Sequence, residues 1–483
     1  MPNPFLTNRR RFLASAAASS ACLIGCGKSG DSAPGQTTAP AIRRDVPLRV
    51  LLCGNDRWAD ILKTAWSAIA DQSLEVSVLD AKLIDAAQWQ AKVIEAMKAC
   101  DVAIVTTGLL PALDAVSAFT PTTDEMFASD SAPSTTFFPI LREGAMKFGG
   151  RTIGVPLGAL QPAIVLRTDG PAADLEFPQT WDAFNAVAEK LNAANAGTGP
   201  VVAEPLAGGA AAQMFLWRAN LASPPTWLFD RDSFSPVIDT EPYVQTLEWM
   251  EQSVALYRGA RLSAGEVWSR VATGKLRMAI AWPATHSATE RIEEAVDCAF
   301  APLPVAFSPS TTNEQWRPVQ ILLDIESPVA IISSQCRQSI AAKRFLNWMV
   351  GGDGTSMIRS VVTGLTDLRR ARDVTGTASS ADGNASENGT QVSEQTPRES
   401  GASTYDAVLT KSLSSLSIRT PLQLLEYRKY AESLDAAVLS CLDRKQSAQE
   451  SLTSAAKTWR EITDKIGVKE QFKAWRKAQG LRG

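Results

Sequence analysis

Apolar and polar positions change period in blocks along the first quarter of the chain. Leu48–Cys53 is apolar except at Arg49, as in a strand buried on both faces. Trp58, Leu62, Ala65, Trp66 and Ile69 then recur at helical spacing. Residues 73–80 alternate like a second strand, a helix is expected from Trp89 to Lys98, and Asp101–Gly108 holds a third apolar run. Strands alternating with helices predict an α/β fold with a parallel sheet, whose ligands lie beyond the carboxyl ends of the strands. That rule nominates the loops at 55–58 and 106–109, with Trp58, Thr106 and Gly108 as candidate contacts.

The middle of the chain keeps the pattern. Gly149-Gly150 opens a turn, an apolar run ends at Pro156, and a second run at 163–166 closes on Asp169-Gly170. Thr180 stands where a helix cap is needed, and Phe184, Val187, Ala188 and Leu191 follow at helical spacing. Further helices are expected at 211–220, carrying Trp217, and through Val244, Leu247, Met250 and Val254. Gly274 ends a helix that includes Trp268, and 278–281 forms a strand before Trp282-Pro283. Two apolar runs within 321–332 are broken by Asp324–Ser327, and a helix follows at 339–350.

Residues 371–404 are almost all polar or small and cannot bury an apolar face, which predicts a disordered insertion. Thr420-Pro421 has the form of a helix start, and Leu434, Val438 and Cys441 continue a buried stripe. Ser447 and Glu450 make a capping box for a further helix that Gly467 stops, and a last basic helix holds Phe472 and Trp475.

Composition narrows the chemistry. A chain of 483 residues with 45% apolar and 20% charged residues is long enough for two or more domains. A formal charge of −3 gives nucleic acid no electrostatic footprint. With one histidine, His286, a two-histidine metal site is excluded, and no G-x-S-x-G elbow offers it a serine. No cofactor or metal is expected. Thirteen Trp against five Tyr suit stacking on ring-shaped ligands as well as core packing.

The N-terminus has the form of an address. Asn8-Arg9-Arg10-Arg11-Phe12-Leu13 matches a twin-arginine export signal, and the Ala/Ser-rich stretch behind it is too short to span a bilayer permanently. Leu23-Ile24-Gly25-Cys26 resembles a lipobox, with Cys26 as the lipidated residue of the mature N-terminus. Residues 1–25 are therefore expected to be a signal peptide and 26–47 a lipidated, flexible tether. Removal of the signal deletes three arginines and no acid, moving the net charge from −3 to about −6. Cys53, Cys100, Cys298, Cys336 and Cys441 remain, with no C-x-x-C pattern; a disulfide framework is not expected, though one pair is open.

In order along the chain, the Pro156 crossing, the "FPQTWDAF" helix start, the 227–239 hairpin, "GKLRMAIAWP" and "AFAPLP" resemble extracellular solute-binding proteins, family 1, the maltose-binding-like receptors of ABC importers. The resemblance covers about 48–360 and 405–470, and departs after Pro156, where Ala163–Asp169 lacks the family's tyrosines. It implies a two-lobe periplasmic-binding-protein type II fold with extra C-terminal helices. The expected lobes are 48–155 plus 284–328, and 158–281 plus 331–370 and 405–483. Crossings are expected at 155–157, 281–283 and 327–330, making Val155, Pro156 and Pro283 hinge residues. The implied protein is a monomeric receptor, held at the membrane through its N-terminal lipid. It takes a sugar-like solute in an interlobe cleft and delivers it to permease subunits. Trp58, Thr106, Gly108, Trp217, Trp227, Trp282 and Trp316 are the candidate ligand contacts. The alternatives are an enzyme on the same scaffold, with Cys53 or a carboxylate pair in the cleft, and a receptor feeding a sensory complex.

Overall fold

The computed structural model describes residues 45–54, 58–122, 137–283, 297–304, 321–350, 404–414, 417–420 and 422–481. The export signal, Cys26, most of the tether, His286, Trp316 and the expected insertion before Thr404 lie outside them.

Leu48–Cys53 (β1) pairs in parallel with Leu74–Leu79 (β2) on one side and with Val102–Thr106 (β3) on the other. Trp58–Ser67 (α1) and Ala86–Met97 (α2) make the crossovers, and Asp85 starts α2 by accepting from the Ala87 amide at 2.7 Å. Leu110–Ala115 (α3), Phe119–Thr120 (β4), Pro139–Gly144 (α4), the hairpin Lys147–Phe148 (β5) with Arg151–Thr152 (β6), and Gly154–Pro156 (β7) complete the first pass through this lobe.

The chain leaves the first sheet at Pro156 and enters a second at Ala163. There Ala163–Arg167 (β8), Trp181–Ala194 (α5), Val202–Ala203 (β9), Ala210–Leu221 (α6), Glu241–Ala255 (α7), Ala264–Ala272 (α8), Met278–Ala281 (β10) and Cys298–Pro302 (β11) follow. The strand order is β11-β8-β10-β9. Thr180 caps α5 through the Ala183 amide at 3.2 Å, and Ser263 with Glu266 forms a reciprocal box at α8. Gly274 follows α8 at φ +72°, a left-handed position that favours glycine.

Ile321–Leu322 (β12) then leads to Pro328–Ser333 (β13) and Ser339–Val350 (α9). β13 returns to the first sheet, antiparallel to β3, with β4 and β7 on its far side, and all six of its residues are buried. A Cβ on Gly154 would collide with the Ala330 carbonyl oxygen, so glycine permits the close approach of β7. Last come Tyr405–Leu413 (α10), Ile418–Arg419 (β14, parallel to β12), Tyr427–Leu442 (α11), Ala448–Ile466 (α12) and Val468–Ala478 (α13). Ser447 and Glu450 cap α12 reciprocally, and Gly467 ends it at φ +105°.

Several boundaries differ from the sequence-based expectation. β10 and β11 both flank β8, so the segment after Ala281 returns to the lobe it left, and Pro283 stands at no crossing. Residues 298–302, expected in the first lobe, belong to the second sheet. β13 and α9, expected largely in the second lobe, belong to the first, where Ala341, Ala342, Phe345 and Met349 fill its core. The second passage between the sheets therefore lies between Pro302 and Pro328. A buried apolar strand carries no mark of which sheet it joins, because backbone hydrogen bonding is indifferent to sequence.

The C-terminal segment is also less one-sided than expected. Leu409 and Leu413 of α10 enter the first lobe's core while Val408 enters the second's. Lys477 at the end of α13 pairs with Asp114 of α3 at 2.6 Å. Thr420 begins no helix; residues 418–419 form a strand and α11 starts at Tyr427, after Glu426 at φ +57°. The five described cysteines, Cys53, Cys100, Cys298, Cys336 and Cys441, are all unpaired.

Candidate functional site: the interlobe cleft

A cavity of about 860 Å³ opens between the lobes. Ala81 and Lys82, after β2, supply its first-lobe edge, and residues 322–326 between the two sheets form its floor. Gln213 and Trp217 on α6, Trp282 after β10, and one face of α11 supply the rest.

The aromatic part is a pair. Trp217 and Trp282 meet edge-on with ring centroids 5.8 Å apart and are 3% and 6% exposed. The Trp217 Nε1–H is buried beside the cavity with no hydrogen-bond acceptor. A buried indole donor without a partner costs free energy that an incoming acceptor would recover.

The floor is acidic. Asp324 is 8% exposed, accepts from the Glu326 amide at 3.0 Å, and lies beside the Gln213 amide. Burial pushes its carboxyl up to about 6, although both neighbours pull the other way. Glu326 faces the open water of the cleft but has protein mass around it; this desolvation, and then the Asp324 charge, push its carboxyl up to about 7. The Tyr427 hydroxyl donates to Glu326 Oε1 at 3.2 Å. Thr106 Oγ1 lies 3.2 Å from the same hydroxyl and, since that proton is committed, must be the donor.

Tyr427 is held from behind. A Cβ on Gly108 would come within 2.7 Å of the Tyr427 ring and 2.8 Å of Ile325, so glycine lets the ring lie flat on the loop after β3. Arg428 donates to the Ala81 and Ile84 carbonyls at 3.1 and 3.5 Å and lies over Trp89. Asp435 accepts from the Ala212 amide at 3.0 Å and so satisfies the start of α6.

Of the sequence-predicted contacts, Trp217 and Trp282 line the cavity together. Thr106 and Gly108 lie one layer behind it, under Tyr427. Trp58 is 2% exposed in the first lobe's core. Trp227 is packed at the edge of the second core, with Nε1 donating to the Thr420 carbonyl and Arg419 over its ring. Neither lines the cavity. Val155 is buried and Pro156 ends the last strand before the passage. Cys53 is buried in the first lobe away from the cavity, with its thiol pushed far up by burial, which removes it as a nucleophile.

Sequence reasoning missed Gln213, Asp324, Glu326, Tyr427, Arg428 and Glu432 as lining residues. A signal existed for the acids: they interrupt an otherwise apolar stretch, where a charge needs a reason. Tyr427 and Arg428 had none, because helix period alone does not say which other lobe a helix end touches.

Residues 78–367 match the family model described as "Bacterial extracellular solute-binding protein". No curated protein matches the sequence at a significant level. Among solved structures, the chain is similar to an ABC transporter solute-binding protein of Agrobacterium radiobacter K84 in complex with ribitol. Identity there is 17%, coverage 86% of this chain and 98% of that one, and TM-score 0.61. It is also similar to the sugar-binding protein MalE of Xanthomonas citri, with 13% identity, 87% and 98% coverage and TM-score 0.62. The third is maltose-bound MalE3 of T. maritima, with 14% identity, 86% and 100% coverage and TM-score 0.60. At such identities the likeness establishes the fold, of periplasmic-binding-protein type II. The family match spans more than half of the sequence and agrees with a two-lobed cleft holding unsatisfied polar groups: this chain belongs to the bacterial extracellular solute-binding proteins, a family of receptors rather than enzymes.

Proposed function

We propose that the chain is the capture subunit of an ABC importer, taking a sugar or sugar-like solute between its lobes and passing it to a membrane permease. The observation that carries this reading is the cleft itself. At about 860 Å³ it has the size of a small-molecule site, with aromatic surface on one side and a few hydrogen-bonding groups on the other. Indole faces cover the apolar side of a ring or polyol, and Gln213, the Trp217 Nε1–H and the floor carboxylates meet its hydroxyls. Supporting it, the similar structures include complexes with ribitol, maltose and D-mannitol. A solute touching both lobes favours the closed form only as far as it binds that form better than the open one.

The same reading makes the receptor a monomer, exported by the twin-arginine route and anchored by a lipid on Cys26, since two acyl chains suffice for stable anchoring.

A thermal-shift series with ribitol, mannitol, maltose and glucosamine on the mature protein tests the solute class. A binding member raises Tm with concentration, by mass action on the folded state. If no polyol or sugar moves Tm and an unrelated class does, the assignment fails.

A further inference from the structure

The cleft carries more negative charge than a neutral solute requires. Four carboxylates line it, Asp324, Glu326, Glu432 and Asp435, against two cations, Lys82 and Arg428. Arg428 acts on Glu326 and Glu432 through its charge from a distance, but neither cation forms an ion pair with the floor. Arg428 spends its guanidinium on the Ala81 and Ile84 carbonyls and on Trp89, and Lys82 is exposed at the rim. Asp435 is engaged at the start of α6. That leaves Asp324, Glu326 and Glu432. Among the described residues none of these three has a lysine or arginine nitrogen within ion-pair distance.

Elsewhere in the same lobe system a buried acid is paired: Glu204, fully buried, takes two bonds of 2.8 Å from Arg218. A protein that can neutralise a buried carboxylate, yet leaves the buried Asp324 without a cation and the exposed Glu326 beside it without an ion pair, has left the floor of its ligand cavity for a charge from outside. A divalent metal is the wrong occupant, because no group of three His, Cys, Asp or Glu able to hold one occurs among the described residues. The opposite wall agrees. Trp217 and Trp282 line the cavity as aromatic neighbours of the kind an ammonium favours, and the unpartnered Trp217 Nε1–H asks for a neutral acceptor such as a hydroxyl.

We propose that the cleft recognises a solute bearing both hydroxyl groups and a protonated amine, an amino sugar or amino polyol, with the ammonium seated between Asp324, Glu326 and the Trp217–Trp282 wall. This rests on the cleft being the solute site and names the class of solute. Ammonium–carboxylate bonds are roughly twice as strong as neutral ones and relieve the unpaired charge; a hydroxyl donated to the same carboxylate leaves the charge in place. Closure of the lobes on the solute would take the exposed Glu326 out of solvent, so the selectivity grows with closure.

Calorimetric titration of the mature protein at pH 7.5, with glucosamine against glucose and the glucosamine disaccharide against maltose, tests this. Spermidine serves as an amine without hydroxyls. The amine member of each pair is expected to bind at least about tenfold more tightly, a difference of about 1.4 kcal/mol. In Asp324→Asn/Glu326→Gln the ratio of amine to neutral affinity collapses to within about threefold, whatever the variant does to the neutral partner's own affinity. The single Glu326→Gln, at an exposed position, reports the same loss in part if the double variant folds poorly. A neutral sugar that binds as tightly as its amine partner overturns the inference and leaves the importer reading standing. So does an amine preference that survives in both variants. Spermidine binding with no response to any sugar refutes the hydroxyl half and the sugar reading together. Silence from all five probes removes both readings.

Discussion

Two buried acids in this molecule have opposite surroundings. Glu204 sits in the second lobe's core at the end of β9, with both oxygens on Arg218, the Tyr257 hydroxyl donating at 3.3 Å, and Trp181 stacked over the guanidinium at 3.8 Å. Asp324 sits under the cleft with an amide and a glutamine beside it and no cation. Taking a carboxylate out of water costs several kcal/mol, and the two sites meet that cost differently. At Glu204 the fold supplies the counter-charge and the pair belongs to the architecture. At Asp324 the fold leaves the charge uncompensated, its carboxyl titrates high, and the position is available to a ligand.

The comparison can be broken most forcefully from the paired side. Arg218→Met leaves Glu204 buried without its partner and is expected to cost about 3–5 kcal/mol, seen as a lower urea midpoint. A loss below about 1 kcal/mol would mean that Glu204 is protonated or finds another donor, and that the two acids differ less than their surroundings suggest.

From the unpaired side the sign reverses. The folded Asp324 carboxyl, at about 6, lies above the ordinary value near 3.9, so the folded state binds the extra proton. Stability from this group is fully present below about pH 4 and is lost as pH rises through about 6. Asp324→Asn removes that loss. The ligand-free variant should match the parent at pH 4 and exceed it at pH 8 by on the order of 1–3 kcal/mol in urea unfolding. A variant less stable at pH 8 would show that the ionised carboxylate is held by the fold after all. A gain in stability with a loss of amine binding would mark Asp324 as a residue kept for its ligand at some cost to the fold.

Tyr427→Phe sharpens the intermediate case. The ring that covers Gly108 stays, while the bonds to Thr106 and Glu326 go, at about 1 kcal/mol of stability. Without its phenol donor the Glu326 carboxyl should titrate higher still, measurable by carbon-13 NMR of the side chain. An unmoved titration would show that the Tyr427 bond does not hold the Glu326 carboxyl down.

How much of this was legible in the chain can be argued element by element. β1, β2 and β3 followed from their apolar runs and α5 from Thr180, because each is decided within about ten residues by side-chain period and a cap. The box at Ser447–Glu450 and the stop at Gly467 were equally local. β11 and β13 were recognisable as strands, but the sheet each joins was not, and the exchange of 298–302 with 328–350 between the lobes followed from that. In the cleft, Trp217 and Trp282 could be nominated as large flat side chains, but Trp58 and Trp227 looked the same and went into packing.

By itself, then, the sequence determined the α/β class, most element positions and the order of segments that resembles a solute-binding receptor. All of these are carried by periodicity, caps and short-range pattern. Only the tertiary structure decided that Tyr427 and Arg428 reach the loops after β3 and β2, more than 300 positions earlier in the chain. It alone decided that Arg218 answers Glu204 while Asp324 has an amide and a glutamine beside it but no cation. Burial and pairing are properties of distances between remote segments. A carboxylate's chemistry is set by those distances, so whether an acid serves the fold or the ligand could be read only once the chain had closed around it.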